Sequence, residues 1–344
     1  MRDKSETVPA SARPLLTDIA ERAGVSLATV DRVVNRRKGV KERTRQRVLE
    51  IARELGYLTE TQGGFYEAER PRNIVVLLPS GSNPYLRLLG DQLRERVERS
   101  APDDPFLRCY FIESFNAQAL AEALRRNAGW ADGIAFFAIE HPLVREAAVE
   151  VLAAGTRLVT IVSDLGSLPE IPHVGLDNRA VGRTAGLLIG RLAKQPSGSV
   201  ALVAGSRHYR AHSEREAGFL SIFEELFPHL RVVGMREGHD DAGENYRHTL
   251  GLFDQAPDLV GIYNVGGSSG GITRAMRERD RLEVVFIGHG LTPDTRRAVV
   301  EGAMDVIFDQ DPDALVDRAL RCLSEQAPVA RPLKFDIYFR ENLP

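Results

Sequence analysis

The 344-residue sequence contains only two cysteines, and that scarcity removes a class of explanations at once. Cys109 and Cys322 lie far apart, each alone in an expected helix or strand. Neither a disulfide framework nor a cysteine metal site therefore organises the chain, and both read as buried thiols. Long apolar runs are missing too. No stretch approaches the roughly 20 apolar residues of a membrane-spanning helix, and the polar segment up to Pro14 lacks the apolar centre of a signal peptide. The expectation is a cytoplasmic protein with no membrane partner. Catalytic signatures are equally scarce, with no Gly-x-Ser-x-Gly elbow and no conspicuous pair of carboxylates, so no enzyme is expected. His208 and His212 are four apart, as metal ligands on a helix would be, but no third ligand accompanies them. They read as surface or cleft-rim histidines, and neither a metal nor a cofactor is expected.

What is present is an ordinary globular composition, 43% hydrophobic and 27% charged, on a chain longer than one usual domain. Charge divides it unevenly. Residues 1–58 hold 13 Lys and Arg against 8 Asp and Glu, an excess of five positive charges, whereas the whole chain carries -3. The remaining residues therefore carry -8, and attraction to phosphate belongs to the head.

The head reads as three short helices. Thr17 is placed to cap a first helix whose inner side is Ile19, Ala20 and Ala23, and Gly24 supplies the tight turn after it. Ser26 then caps a second helix, where Val30, Val33 and Val34 fall on one side and Ala28, Asp31, Arg32 and Asn35 on the other. Lys41 to Tyr57 forms a third helix with Val48, Ile51, Ala52 and Leu55 in register. Such a unit reads as a DNA-binding helix-turn-helix, and the basic run Arg36-Arg37-Lys38 directly follows its recognition helix.

Asp18-Ile19-Ala20-Glu21-Arg22-Ala23-Gly24-Val25-Ser26, Thr29-Val30-Asp31-Arg32-Val33-Val34-Asn35 and Thr44-Arg45-Gln46-Arg47-Val48 resemble the head of the lactose-repressor (LacI/GalR) family. The resemblance implies that Leu27, Ala28 and Arg32 meet base edges in the major groove of an operator. Leu27 and Ala28 suit thymine methyls, and Arg32 can offer two donors to a guanine. It implies phosphate contacts from Thr29, Asn35 and Thr44, and places Thr17, Ser26 and Arg36 at the same interface. Asp31 departs from the Ser common in better-known members, and a carboxylate there should be held by an Arg or turned away.

From Asn73 onward strands alternate with helices. Apolar runs at Ile74–Leu78, Phe106–Phe111, Gly133–Ala138, Leu158–Val162 and His173–Leu176 are followed by a second set at Ser199–Val203, Leu230–Met235, Leu259–Asn264, Val284–Ile287 and Asp305–Phe308. That period predicts an α/β fold of two doubly wound parallel sheets, with ligands beyond the carboxyl ends of the strands. The expected division is a head over 1–58, a linker over 59–72 and a ligand-binding domain over 73–344. Its first lobe would comprise about 73–175 and 306–333, and its second about 176–305 and 334–344.

This region resembles the type I periplasmic-binding-protein fold that follows the head in the same family, on Val174-Gly175-Leu176-Asp177-Asn178, Gly182-Arg183-Thr184-Ala185 and Ser213-Glu214-Arg215-Glu216-Ala217-Gly218-Phe219. Candidate ligand residues at strand ends are Asn83, Tyr85, Ser163, Asp164, Asn264, His289 and Gln310, with Arg210 and Ser213 from the Arg-containing region. Their amides, hydroxyls and aromatic face suit a sugar, a polyol or a related small polar effector. Each amide could equally cap a strand end or satisfy loop backbone. Ser213 stands where the family often carries Arg, so Arg207, Arg210 or His212 would supply the contact, and His289 stands where many members carry Asp. The loop Gly266 to Gly271 reads as a tight strand-to-helix turn, with a phosphate cradle as the alternative.

The linker departs most from the family, whose members usually carry a hinge helix there. Gly63-Gly64 and the acidic Glu60, Glu67 and Glu69 oppose both helix and phosphate contact, leaving Leu58 or Phe65 as the only candidate wedges. The expectation is a homodimeric, ligand-responsive transcriptional repressor on a pseudo-palindromic operator. The alternative is a small-molecule-binding or sugar-phosphate enzyme domain with an appended helical module.

Overall fold

The computed structural model describes residues 15–35, 37, 39–55, 57, 73–101, 104–166, 168–325 and 331–344. The chain forms two compact units, 1–70 and 71–344. Arg36 and the linker, including Leu58 and Phe65, lie outside the described residues.

In the first unit, helices α1 (Leu16–Ala23), α2 (Leu27–Val34) and α3 (Glu42–Glu54) close around Ile19, Ala20, Ala23, Val30, Val33, Val48, Leu49 and Ala52. Thr17 does not cap α1. The helix starts earlier, because Leu15 N–H donates to the Asp18 carboxylate at 2.7 Å and Thr17 is left exposed in the first turn. Gly24 takes a left-handed φ of 65° that ends α1, and its N–H bonds back to Glu21 O at 3.2 Å. Ser26 does cap α2, its Oγ accepting from Thr29 N at 3.2 Å.

The second unit contains two sheets. Strands β1 (Asn73–Pro79), β2 (Phe106–Ile112), β3 (Gly133–Phe136), β4 (Arg157–Ile161) and β5 (His173–Val174) pair in parallel in the order β2-β1-β3-β4-β5. Helices α4 (Pro84–Glu98), α5 (Ala117–Asn127) and α6 (Pro142–Ala153) connect them. Six of the seven residues of β1 are buried, the pattern of a strand covered on both faces.

The second sheet begins with α7 (Asn178–Leu192), β6 (Gly198–Ala204), α8 (Arg210–Leu226), β7 (Leu230–Glu237) and α9 (Ala242–Gln255). It continues through β8 (Leu259–Asn264), α10 (Gly270–Glu278), β9 (Val285–His289), α11 (Pro293–Val300) and β10 (Val306–Asp309). Helix α12 (Pro312–Glu325), strand β11 (Asp336–Tyr338) and a 3-10 turn (Arg340–Asn342) follow, and the sheet order is β11-β10-β9-β8-β6-β7.

One lobe assignment is corrected. Residues 306–309, expected in the first lobe, pair with β9 in the second sheet, and the return to the first lobe begins with α12. Leu315, Val316, Ala319 and Leu323 of α12 join the core of β1, β3 and β4, and burying them is what draws the helix back. The chain thus crosses between lobes after β5, after β10 and before β11. The first and last crossings run side by side, with Leu333 N–H on Gly175 O at 2.8 Å.

Helices α7 and α8 meet through glycine. An added Cβ would lie 2.0 Å from Arg215 O at Gly182 and 2.1 Å from Arg179 O at Gly218. Only at this close approach can Arg215 reach the region between the lobes.

Candidate functional site

On the head, α2 presents Leu27, Ala28 and Arg32 outward. Leu27 is 47% exposed, an apolar side chain that the core does not use. The Arg32 side chain is exposed and has no partner among the described residues. Asp31 is held in place: Asn35 Nδ2 donates to one carboxylate oxygen at 2.6 Å and Arg37 to the other at 3.2 Å. Its charge is thereby balanced beside a surface otherwise suited to phosphate. Thr29 Oγ1 bonds Ser26 Oγ at 2.8 Å, and Thr44 is half-buried in the first turn of α3.

Between the lobes of the second unit lies a cavity of about 70 Å³, with Phe137, Val162, Leu176 and Phe308 as apolar wall. Asn83, Tyr85, His289 and Gln310 line it. So do Arg215, His212, Asp240 and the loop Gly266 to Gly270, of which the sequence offered His212 and the loop as alternatives only and did not single out Arg215 or Asp240. Asn83 caps α4 through Oδ1, 3.0 Å from Tyr85 N, and donates through Nδ2 to Asp240 Oδ2 at 2.9 Å. Asp240, from the loop after β7, accepts Gly267 N–H on its other oxygen at 2.6 Å. One carboxylate therefore ties the first lobe to the second. Tyr85 Oη donates to Gln310 O at 3.2 Å, and Glu140 N–H to His208 O at 2.9 Å, across the same divide.

Tyr209 makes the deepest crossing. It precedes α8 in the second lobe, yet its ring is 1% exposed within the first-lobe core, its centroid 4.6 Å from that of Phe137 and 5.1 Å from that of Phe115. Backbone strain gathers at this boundary. Phe115, Val162, His239, Asp240 and Ser268 all have φ between 50° and 63°, a conformation that side chains beyond Cβ disfavour, above all a β-branched Val.

Arg215 is 7% exposed; Nε donates to Asn178 Oδ1 at 2.8 Å and Nη1 to Val265 O at 2.7 Å. Both partners are neutral, and no carboxylate lies in ion-pair contact with it among the described residues. Burial pushes His212 down to about 4, against the pull of Asp240. Burial, with Arg215 and His212 nearby, holds His289 well below its ordinary value. Both imidazoles are neutral near pH 7. His289 Nε2 is 2.8 Å from Tyr263 Oη.

Two family profiles match this architecture. Residues 74–327 match the one described as "Periplasmic binding protein domain", and residues 15–60 the one described as "Bacterial regulatory proteins, lacI family". The chain belongs to the family of the first profile, that of the periplasmic binding protein domain, and its head matches the second. Catabolite control protein A of Streptococcus mutans is 25% identical over 241 residues, covering 68% of this chain and 62% of that protein. The HTH-type transcriptional repressor PurR of Erwinia tasmaniensis is 27% identical over 241 residues, covering 67% of this chain and 66% of that one. The chain thus spans slightly less than two thirds of either relative. GanP, a glucose-galactose binding protein from Geobacillus stearothermophilus, superposes with a TM-score of 0.71 over 80% of this chain and 99% of its own. At 19% identity that likeness is one of fold.

Within this periplasmic-binding-protein domain the remaining sequence candidates are spent elsewhere. Asn264 is fully buried, donates to Gly267 O at 2.9 Å and Ser269 Oγ at 3.0 Å, and accepts from Gly266 N at 3.3 Å. It builds the loop and does not line the cavity. Ser163 is fully buried with Oγ 3.4 Å from Ala211 N, and Ser213 Oγ donates to Arg207 O at 3.0 Å. Asp164 pairs with Arg210 at 3.1 Å, and Arg210 with Glu214 at 2.7 Å, as surface links outside the cavity. Asp240 was findable by the rule that applied to the other strands, since it follows the carboxyl end of β7. Among the described residues no three His, Cys, Asp or Glu side chains could hold a metal, and no helix is long and apolar enough to cross a membrane.

Proposed function

We propose that this protein is a homodimeric, effector-responsive transcriptional regulator, a repressor acting in the cytoplasm, and a binding protein without catalytic activity. The observation that carries the reading is the pairing of an outward α2 face, Leu27, Ala28 and Arg32, with a sensor whose two lobes are joined around a polar cavity. The names of its relatives, a transcriptional repressor and a catabolite control protein, support the same reading. Two heads reading two half-sites require a dimer. A small polar molecule, of the sugar or polyol kind, bound by Asn83, Tyr85, Arg215, His289 and Gln310 would compete with or reinforce the contacts of Asp240 and so change how the lobes meet. Coupling is then the difference in affinity between two lobe arrangements.

The test is salt-titrated binding of the full chain to the DNA upstream of its own gene. Specific binding should weaken steeply with salt, and Arg32→Ala should cost about 1 to 3 kcal/mol at one base pair per half-site. Equal losses on specific and random DNA would reduce Arg32 to a phosphate contact, and absence of any specific complex would overturn the reading.

A further inference from the structure

Donors outnumber acceptors among the open hydrogen-bonding positions around the cavity. Arg215 spends Nε and Nη1 on neutral acceptors and retains Nη2. The loop into α10 has its first two amides taken, Gly266 N–H by Asn264 and Gly267 N–H by Asp240. The N–H groups of Ser268, Ser269 and Gly270, which also line the cavity, have no acceptor among the described residues. Ser269 precedes α10, but its Oγ accepts from Asn264 and caps none of the helix's N–H groups, so the positive end of that nine-residue helix is left open. Gln310, 6% exposed in the cavity wall, has an amide nitrogen with no partner. Among the described residues His289 Nε2 is the one partner of the Tyr263 hydroxyl; with that hydroxyl donating, the proton of the neutral ring sits on Nδ1.

Acceptors are fewer, the Gln310 amide oxygen being the open neutral one beside its nitrogen. Both oxygens of Asp240 are engaged, by Gly267 and Asn83, and Asp294 is the remaining acidic group, exposed at the cavity rim. A neutral sugar needs acceptors for its hydroxyl protons, whereas an anion needs donors alone. A buried guanidinium whose contacts are all neutral is completed by an anion.

We propose that the effector is a small organic acid whose carboxylate or phosphate group sits between the N-terminus of α10 and the Arg215 guanidinium, with Gln310 and His289 donating from the flank. This rests on the cleft being the effector site. Val265 connects the two halves of the cradle, since its carbonyl holds Arg215 and the next residue begins the loop. The arrangement is a helix N-terminus and an arginine converging on one anion.

Matched probes test it on the full chain by thermal shift and titration calorimetry: D-galactose, D-galacturonate and galactose 1-phosphate; D-ribose, D-ribonate and ribose 5-phosphate; and inorganic phosphate. The expected result is that an acidic member binds roughly tenfold or more tightly than its neutral parent, with the carboxylate and phosphate arms telling the two groups apart. Ser269→Asp puts a competing carboxylate at the same helix end while supplying a good cap, so it should remove that advantage without loss of fold. Gln310→Glu should act in the same direction. A neutral sugar that binds as tightly as its acid, or acid affinity unchanged in Ser269→Asp, overturns the acid reading and leaves the cleft as effector site. If no probe of either kind binds or alters DNA binding, the acid reading falls together with the cleft assignment.

Discussion

His212 shows how one buried residue sets a pH limit on the two-lobed unit. Its imidazole is 6% exposed, with Nδ1 3.0 Å from Ser206 O, and faces Asp240, Arg215 and Glu237. With an ordinary value of 6.5 and a folded value of about 4, the unfolded chain takes up a proton first as pH falls. The stability this group provides is full above 6.5 and is lost as pH falls towards 4, on the order of 3 kcal/mol over that window. Urea unfolding at pH 7 and pH 5 should show the loss, and His212→Gln should flatten it; an equal pH slope in the variant would assign the effect to other groups. The same scale explains what sequence could not decide about Asn264. An amide suits ligand hydroxyls and loop carbonyls equally well, and only the position of Gly267 O and Ser269 Oγ around it settles which it serves. At Asp31 the sequence did state the condition, an Arg to hold the carboxylate, and Arg37 with Asn35 meets it.

Among the elements, the α7–α8 contact positions the arginine on which the cavity depends. Gly182, Gly186 and Gly190 follow one another at four-residue spacing along α7, and the backbone of Arg215, the side chain of Ile222 and the ring of Phe227 occupy the space their Cβ atoms would take. Gly182→Ala forces backbone apart, so it should destabilise by about 1 to 3 kcal/mol and shift Arg215 away from Val265 O. Ligand affinity should fall more than that stability loss explains, as calorimetry beside denaturation would reveal. Unchanged affinity would mean that α8 is positioned by other contacts. Helix α1 illustrates a local signal overridden by its neighbour. Thr17 is a good capping residue, yet Asp18 reaches back to Leu15 N–H and starts the helix two residues sooner.

At the scale of the whole two-lobed unit, the lobes are joined by the chain's own contacts. Tyr209 is packed between Phe115 and Phe137, Asp240 joins Asn83 to Gly267, and Phe115 meets His239 at 5.4 Å between centroids. Tyr209→Ala removes a ring of one lobe from the core of the other, a truncation worth about 3 to 5 kcal/mol. If the ring fastens the lobes, the variant's sensor should show a larger radius of gyration by small-angle scattering, together with faster amide exchange around Phe115. Loss of stability without expansion would make Tyr209 a core filler only.

The sequence by itself determined the elements and their order, because hydrophobic period, turn residues and charge are local properties. The three-helix head, the outward Ala28 and Arg32, and the alternation of strands and helices were legible for that reason, whereas Leu27 came into view through the family resemblance. Placement at strand ends also brought Asn83, Tyr85, His289 and Gln310 into view, since the carboxyl edge of a parallel sheet follows from topology. Tertiary structure alone decided that β10 belongs to the second sheet and α12 to the first lobe, as both depend on which core buries them. It alone assembled Asp240, Arg215 and the Ser268–Gly270 amides around one cavity and spent Asn264, Ser163 and Ser213 on backbone. Hydrogen-bond partners far apart in sequence are fixed by the packing of lobes, and no local pattern encodes which donor is left without an acceptor.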